Sequence, residues 1–521
     1  MATEDNFIVA IELGSSKVTG VAGRKQPDGA IQVLAFAQEP STTFIRKGRI
    51  NNVSKMTQCI MSMKDKLEQK MQKSISRVYV GIGGMGMHTV ANTVVRHFDS
   101  KVEITQEMID AMCDENRTST NSDRDILEAV PQEYHLGTQV QIDPVGILSE
   151  GIEGHYLNIV ANSTVREEIR NCFRNAGVTI ADLPITVQAL ADVMLTEPEK
   201  RSGCVFVDMG AETTSVAVYK NNLLRHLAVI PLGGANINRD IMSLQIEDDE
   251  AEELKLKYGS AISPADDTTH KPITLRDGRT IAFEEFAGLV EARVEEIILN
   301  VMHQISLSKF DNGQLVGGLI ITGGASHMKN IDKAFVRDTK FEKIRFVRNI
   351  RIPLRTPDYP GLNADGDCNA AIALIDKGEI NCCGGDLGQP NLFADNEAEK
   401  EPELTPEEIA AAEAQRKAEE EAAARAAAAA ARPRRGRRRS QCGSGRHSRC
   451  YILPAASQRA RRPFRRVRTA PSAAALRCRA RRVPHIYGRA ASALHYSSIF
   501  SSGCQLVFSV DSGRKMRYKC A

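Results

Sequence analysis

Phe7-Ile8-Val9-Ala10-Ile11-Glu12-Leu13-Gly14-Ser15-Ser16-Lys17 is an apolar strand that runs into an acid, a glycine, two hydroxyls and an ammonium. The same syntax returns far downstream in Gly203-Cys204-Val205-Phe206-Val207-Asp208-Met209-Gly210-Ala211-Glu212-Thr213-Thr214. Gly317-Gly318-Leu319-Ile320-Ile321-Thr322-Gly323-Gly324-Ala325 repeats the strand and the glycines without the acid. Each turn frees backbone N–H groups to approach phosphate, and each acid suits a water-bridged Mg²⁺. Taken singly, either acidic turn reads equally well as a plain β-hairpin. Taken in order, the three predict two half-domains that clamp a triphosphate in the cleft between them.

A chain of 521 residues, 42% apolar, predicts roughly two to four domains with a sizeable core. No apolar run reaches about 18 residues, so no helical membrane span is expected. Met1 to Asn6 is acidic and lacks the basic region of a secretory signal. The 12 cysteines form no CxxC pair or metal-like grouping, and a reducing cytoplasm is expected. The 11 histidines offer no ligand pair at helical spacing, and no Walker A, HExxH or nucleophile–base pattern occurs.

The net charge of +3 hides two different pieces. From Arg432 to Ala521 the chain has 21 Arg, 2 Lys and one acid, Asp511, a net of +22 that leaves −19 on residues 1–431. An acidic body argues against a specific nucleic-acid surface. Between the two lies an Ala/Glu-rich stretch, 397–431, which reads as a solvated helix or a flexible linker.

Apolar periodicity predicts strands at 7–13, 18–22, 31–37 and 78–82, and a helix over 53–71. Residues 84–161 change texture. Strands near 89–95, 130–134 and 157–160 and a helix over 106–115, capped by Thr105, read as an inserted α+β subdomain. Helices follow at 165–176 and 186–195. Beyond the Asp208 turn come a hairpin, a helix opened by Gly233-Gly234, a charged helix at 247–257 and an apolar-striped helix at 286–305. The stripe reads as core. Gly81-Ile82-Gly83-Gly84-Met85-Gly86 fits GxGxxG, but β-rich Thr89 to Val95 follows where a dinucleotide site needs a helix. Its glycines are expected to mark the exit into the insert.

Within the cleft, Gly14, Ser15, Ser16 and Lys17 are expected on one side of the phosphates, and Gly210 and Thr213 on the other. Glu12 and Asp208 would hold Mg²⁺ through water. Gly233, Gly234, Gly323, Gly324 and Ala325 would let a flat base lie against backbone, with Glu253 and Lys257, beside Glu252 and Lys255, reaching ribose and adenine. A solvated helix face is the alternative for those charges. Glu212 would set a negative charge against the polyphosphate unless it turns away, which points to weak or absent ATP hydrolysis.

The ordered turns resemble the actin/Hsp70/sugar-kinase ATPase superfamily. Lys47-Gly48-Arg49-Ile50-Asn51, Val130-Pro131-Gln132-Glu133-Tyr134, Asp143-Pro144-Val145-Gly146-Ile147, Leu190 to Glu197 and Leu232-Gly233-Gly234 closely resemble FtsA, the bacterial actin-like cell-division family. The resemblance covers about residues 5–385. It implies an α/β fold of two halves around a nucleotide cleft, ATP and Mg²⁺, and self-assembly into filaments. It also implies docking of the FtsZ C-terminal tail on a small second-half subdomain at 236–300. Other division proteins would meet the inserted subdomain, and a C-terminal amphipathic helix would reach the inner face of the cell membrane at the division site. The expected organisation is first-half core (1–83), insert (84–161), first-half then second-half core (162–235), small subdomain (236–300), second-half core (301–385), linker (386–431) and tail (432–521). Alternatives in the same superfamily are a pilus-assembly actin, a chaperone or a sugar kinase. The tail departs from the family: Pro454, Pro463, Pro471 and Pro484 interrupt its candidate helices, so the membrane helix is missing there. It reads as disordered or as translation in a shifted frame beginning near 422–432. A basic tail for anionic lipid or nucleic acid and an unusual domain are the alternatives.

Overall fold

The structure, a computed structural model, describes residues 6–118, 123–263 and 271–386, together with two short strands at Tyr496–Ile499 and Gln505–Phe508. The chain divides into two units, Met1–Pro390 and Asn391–Ala521. In the second, the two short strands pair antiparallel, so this part of the tail is β where no regular element is expected from its sequence. The linker and the rest of the tail lie outside the described residues.

In the first unit β1 (Ile8–Leu13), β2 (Lys17–Lys25) and β3 (Ile31–Pro40) form an antiparallel meander. Helix α1 (Val53–Met71) starts where the Asn52 side chain accepts the Lys55 N–H and buries Met56, Cys59, Ile60, Met63 and Leu67. Strand β4 (Arg77–Val80) then runs parallel to β1.

The chain leaves at Gly81–Gly86 into β5 (His88–Glu103), α2 (Gln106–Thr118), β6 (Arg124–Leu136), β7 (Gln139–Gln141) and β8 (Leu148–Asn162). As expected, the GxGxxG segment is followed by a strand and not by a helix. These strands outrun the sequence reading because their outer face is polar, which dilutes the apolar signal. Pro131 sits where the β6–β8 register slips, a position at which a missing N–H costs little.

The first half resumes with α3 (Ser163–Asn175), β9 (Thr179–Asp182) and α4 (Thr186–Met194). The second half repeats the plan. Its meander is β10 (Cys204–Met209), β11 (Thr214–Lys220) and β12 (Leu223–Ile230). Helices α5 (Gly234–Met242), α6 (Asp248–Tyr258) and α7 (Phe283–Leu307) follow, then β13 (Gly318–Thr322), α8 (Ile331–Thr339) and β14 (Ile344–Phe346). β15 (Leu354–Arg355) returns to the first sheet beside β3, and α9 (Asn369–Lys377) packs on α4.

The two halves share one topology: β3-β2-β1-β4-β9 in the first and β12-β11-β10-β13-β14 in the second. In each, a meander supplies three antiparallel strands and two parallel strands complete the sheet. The order places both acidic turns, β1–β2 and β10–β11, at the ends of central strands. The insert's strands join the second-half sheet through one bridge, His88 to Ala228. The apolar stripe of α7 is core: Phe286, Val290, Val294, Ile297, Ile298, Val301 and Ile305 are buried against the second-half sheet. Each such side chain contributes about 1.5–3 kcal/mol of burial.

Candidate functional site

A cavity of about 960 Å³ opens between the halves. Glu12, Gly14, Ser15, Ser16 and Lys17 line one side, and Asp208, Gly210, Ala211, Glu212 and Thr213 line the other. Gly323, Gly324 and Ala325 close it from a third direction. The three turns thus meet in one place, brought there by the repeated sheet order.

On the first turn the Gly48 N–H donates to the buried Ser15 hydroxyl at 2.8 Å, while Ser16 is exposed to the cavity. Lys17 Nζ lies 2.8 Å from Asp367, a residue of the loop before α9. Glu12 sits at the cavity floor, where burial and then the charge of Asp208 push its carboxyl up to about 7. Burial pushes Asp208 up to about 6. Lys17 offsets only part of this at Glu12, its ammonium being shared with Asp367, and a hydrated dication would supply further positive charge to both acids.

On the second turn Gly210 N–H donates to the Thr213 carbonyl at 2.8 Å, closing the loop at the end of β10. Glu212 turns away from the cavity centre and is 4% exposed. Its carboxylate accepts the Lys47 backbone N–H at 2.6 Å and bonds the guanidinium groups of Arg46 and Arg239. The expectation that Glu212 opposes phosphate is therefore corrected: two arginines and an N–H neutralise it, and its charge gives no reason for slow turnover.

Two further expectations are corrected. Gly233 does not line the cavity. A Cβ there would lie 2.5 Å from the Gly210 carbonyl oxygen, so it is a packing glycine that lets the start of α5 press onto the second turn. The Gly234 and Ala235 N–H groups donate to the Gly210 and Ala211 carbonyls, at 3.0 and 2.7 Å. Glu253 also faces away, paired with Arg276. Its neighbour Glu252 lines the cavity, holds Lys255 at 2.6 Å and accepts from Asn238 at 2.6 Å. On a helix the two positions differ by about 100°, and the charges alone do not say which one faces inward. Lys257, Gly234 and Ala325 line the cavity.

Several lining residues are missed by sequence reasoning: Arg239 on α5, and Asp365, Gly366, Asp367 and Asn369 before and at the start of α9. Asp365-Gly366-Asp367-Cys368-Asn369 at the mouth of the last helix carries no distinctive signature. The described cysteines are unpaired, and burial pushes the Cys59, Cys204, Cys368 and Cys383 thiols up to about 12, as befits inert core positions. Among the described residues no helix is long and apolar enough to cross a membrane.

Two sheets of identical strand order, joined by packed helices α4 and α9 and facing across a glycine-lined cleft, define the actin-like ATPase fold. Sequence comparison narrows the class. The family model "Cell division protein FtsA" matches residues 205–360, and "SHS2 domain inserted in FTSA" matches 84–160. Cell division protein FtsA of Neisseria meningitidis serogroup B is 30% identical over 411 residues, which cover 77% of this chain and 96% of that protein. The Porphyromonas gingivalis FtsA is 28% identical over 63% of this chain and 70% of its own length, and that of Escherichia coli K12 26% over 63% and 81%. A solved PilM-PilN type IV pilus biogenesis complex aligns at 14% identity with a TM-score of 0.49, covering 71% of this chain and 98% of that one. The chain belongs to the FtsA family of cell division proteins.

Proposed function

We propose that this chain is an ATP-binding, filament-forming division protein that links the FtsZ ring to the inner face of the cytoplasmic membrane and gathers later division proteins there. The observation that carries the nucleotide part is the convergence of the three glycine turns, with Glu12 and Asp208 from opposite halves, on one cavity. Gly14, Ser15, Ser16 and Lys17 from one half and Gly210 and Thr213 from the other would hold the phosphates. Glu12 and Asp208 would hold Mg²⁺ through water, and Gly323, Gly324, Ala325, Glu252, Lys255 and Lys257 would frame base and ribose. Bound Mg²⁺ would neutralise phosphate charge. This chain's own residues bind, orient and shield. Lys17, held by Asp367, would meet phosphate oxygens, and Arg46 on Glu212 ties the first half to the second.

Family membership supports the partners: the FtsZ C-terminal tail on 236–300, other division proteins on the insert at 84–161, and further copies of the chain. The cores of such a protein would be 1–83, 162–235 and 301–385, with the insert at 84–161 and the small subdomain at 236–300. The deciding experiment is a pull-down with the FtsZ C-terminal peptide, run beside a fluorescent ATP titration. Capture of the chain and saturable ATP binding that requires Mg²⁺ support the reading. ATP binding without capture removes the FtsZ link and leaves the nucleotide part, and the absence of both overturns the proposal.

A further inference from the structure

The sheet of the inserted subdomain has two chemically different faces. On one, Val94, Tyr134, Leu136, Ile152 and Tyr156 close over Met112 of α2. Strand alternation sends the intervening residues to the other face. There β6 and β8 run antiparallel with His135 opposite Glu153 and His155 opposite Glu133. The four side chains form a checkerboard, histidines on one diagonal and glutamates on the other. The imidazole centroids are 4.4 Å apart. Each Nε2 lies 3.2 Å from a carboxylate oxygen, that of Glu133 for His135 and that of Glu153 for His155.

We propose that this checkerboard is a zinc site, with His135 Nε2, His155 Nε2 and a Glu153 carboxylate oxygen as ligands and a fourth position open to water or to Glu133. Ligand atoms of the three residues all lie within 4.8 Å of one another. A tetrahedral ion with bonds of about 2.0 Å needs ligand atoms about 3.3 Å apart. The observed 3.2 Å Glu153–His155 separation already meets that need, and a small closure about the ion brings in His135. The His155 Nε2 atom is buried and makes no hydrogen bond, the nearby Glu153 oxygen being poorly aligned for one. Its Nδ1 faces the Thr93 hydroxyl at 3.4 Å. A proton on Nδ1 leaves the Nε2 lone pair directed at the glutamates, which is how an outer partner sets a ligating histidine. Two carboxylates balance one dication, whereas Mg²⁺ and Ca²⁺ prefer shells of oxygen alone. The side chains are 31–42% exposed, so the cluster lies at the surface of the sheet, with the His155 Nε2 atom covered. None of the four lines the nucleotide cavity. A bound ion would tie β6 to β8 beside the register slip at Pro131 and stiffen this face of the insert.

The test uses the full chain without nucleotide, titrated with Zn²⁺ by calorimetry and with Co²⁺ by visible spectroscopy. The expected result is one zinc equivalent that disappears in the His135→Ala/His155→Ala double variant. It weakens on the order of tenfold or more in Glu153→Gln and persists in Asp208→Asn. Co²⁺ should give ligand-field bands without thiolate charge transfer, which excludes the cysteines as ligands. Zinc should raise the melting temperature of the wild type and not of the double variant. If the double variant fails to fold by circular dichroism, Glu153→Gln carries the decision. Zinc binding unchanged by either substitution, binding abolished by Asp208→Asn, or a thiolate band would each overturn the proposal.

Discussion

Glu212, carried by the second half, accepts the backbone N–H of Lys47, carried by the first, at 2.6 Å. Lys47 adopts φ +50°, a left-handed conformation held by this contact and by the adjoining Gly48 turn. With Arg46 and Arg239 on the same carboxylate, Glu212 is a latch between halves. Both arginines are about half exposed, which screens their share of the energy. Losing the buried acceptor strands one N–H, so Glu212→Ala should cost about 1–3 kcal/mol. Urea denaturation measures this. Phosphate release should not rise in the same variant, and unaltered stability would remove the latch.

Adjacent glycines at the third turn should respond oppositely to substitution. Gly323 has φ +92°, and a Cβ there would lie 2.4 Å from the Met209 carbonyl oxygen, so Gly323→Ala should lose folded protein. At Gly324 a Cβ meets nothing within 4 Å and extends into the cavity. Gly324→Val should fold normally and bind ATP at least about tenfold more weakly, a loss of about 1.4 kcal/mol. Thermal melts and a fluorescent-nucleotide titration check the pair; wild-type affinity in Gly324→Val would remove the base from this position.

The raised carboxyls of Glu12 and Asp208 give a pH signature. Folded, each holds its proton to higher pH than it does unfolded. Without a cation, their contribution to stability is therefore present at low pH and falls as pH rises from about 4 to 7. Cation binding needs the ionised forms, so the melting-temperature gain from Mg·ATP should grow between about pH 5.5 and 7.5. In Glu12→Gln that growth should shrink. A pH-independent gain in the wild type would contradict the assignment of these acids.

The proposed docking site for the FtsZ tail is better mapped than excised. Helix α7 supplies much of the second-half core, so deleting 236–300 would remove that core along with the surface. Hydrogen exchange on the intact chain should show peptide-induced protection in Gly234–Met242 and Asp248–Tyr258. Protection confined to the insert would move the docking surface there.

Nucleotide sequencing across the codons for Ala422 to Arg432 tests the tail. Restoring one base should give a linker ending in an amphipathic helix, and the repaired protein should bind liposomes. If the other frames stop early and native protein yields the Arg-rich peptides, the tail is genuine.

Local chemistry in the sequence was enough to determine that there are three strand–glycine turns, that the interior of 84–161 differs in texture, and that the 286–305 stripe is core. Those properties follow from spacing along one strand or helix. Which acid of a neighbouring pair faces the cleft was decided only by tertiary packing, which turned Glu252 in toward Lys255 and Glu253 out toward Arg276. The role of Glu212 was hidden for the same reason: its partners Arg46 and Lys47 are 166 and 165 positions away in the chain. The His135–Glu153–His155 cluster depends on the register of β6 against β8, and a one-residue slip would send one strand's pair to the buried face. Sequence sets the periodicity of each element, but register and the facing of halves are set by contacts between segments far apart in the chain.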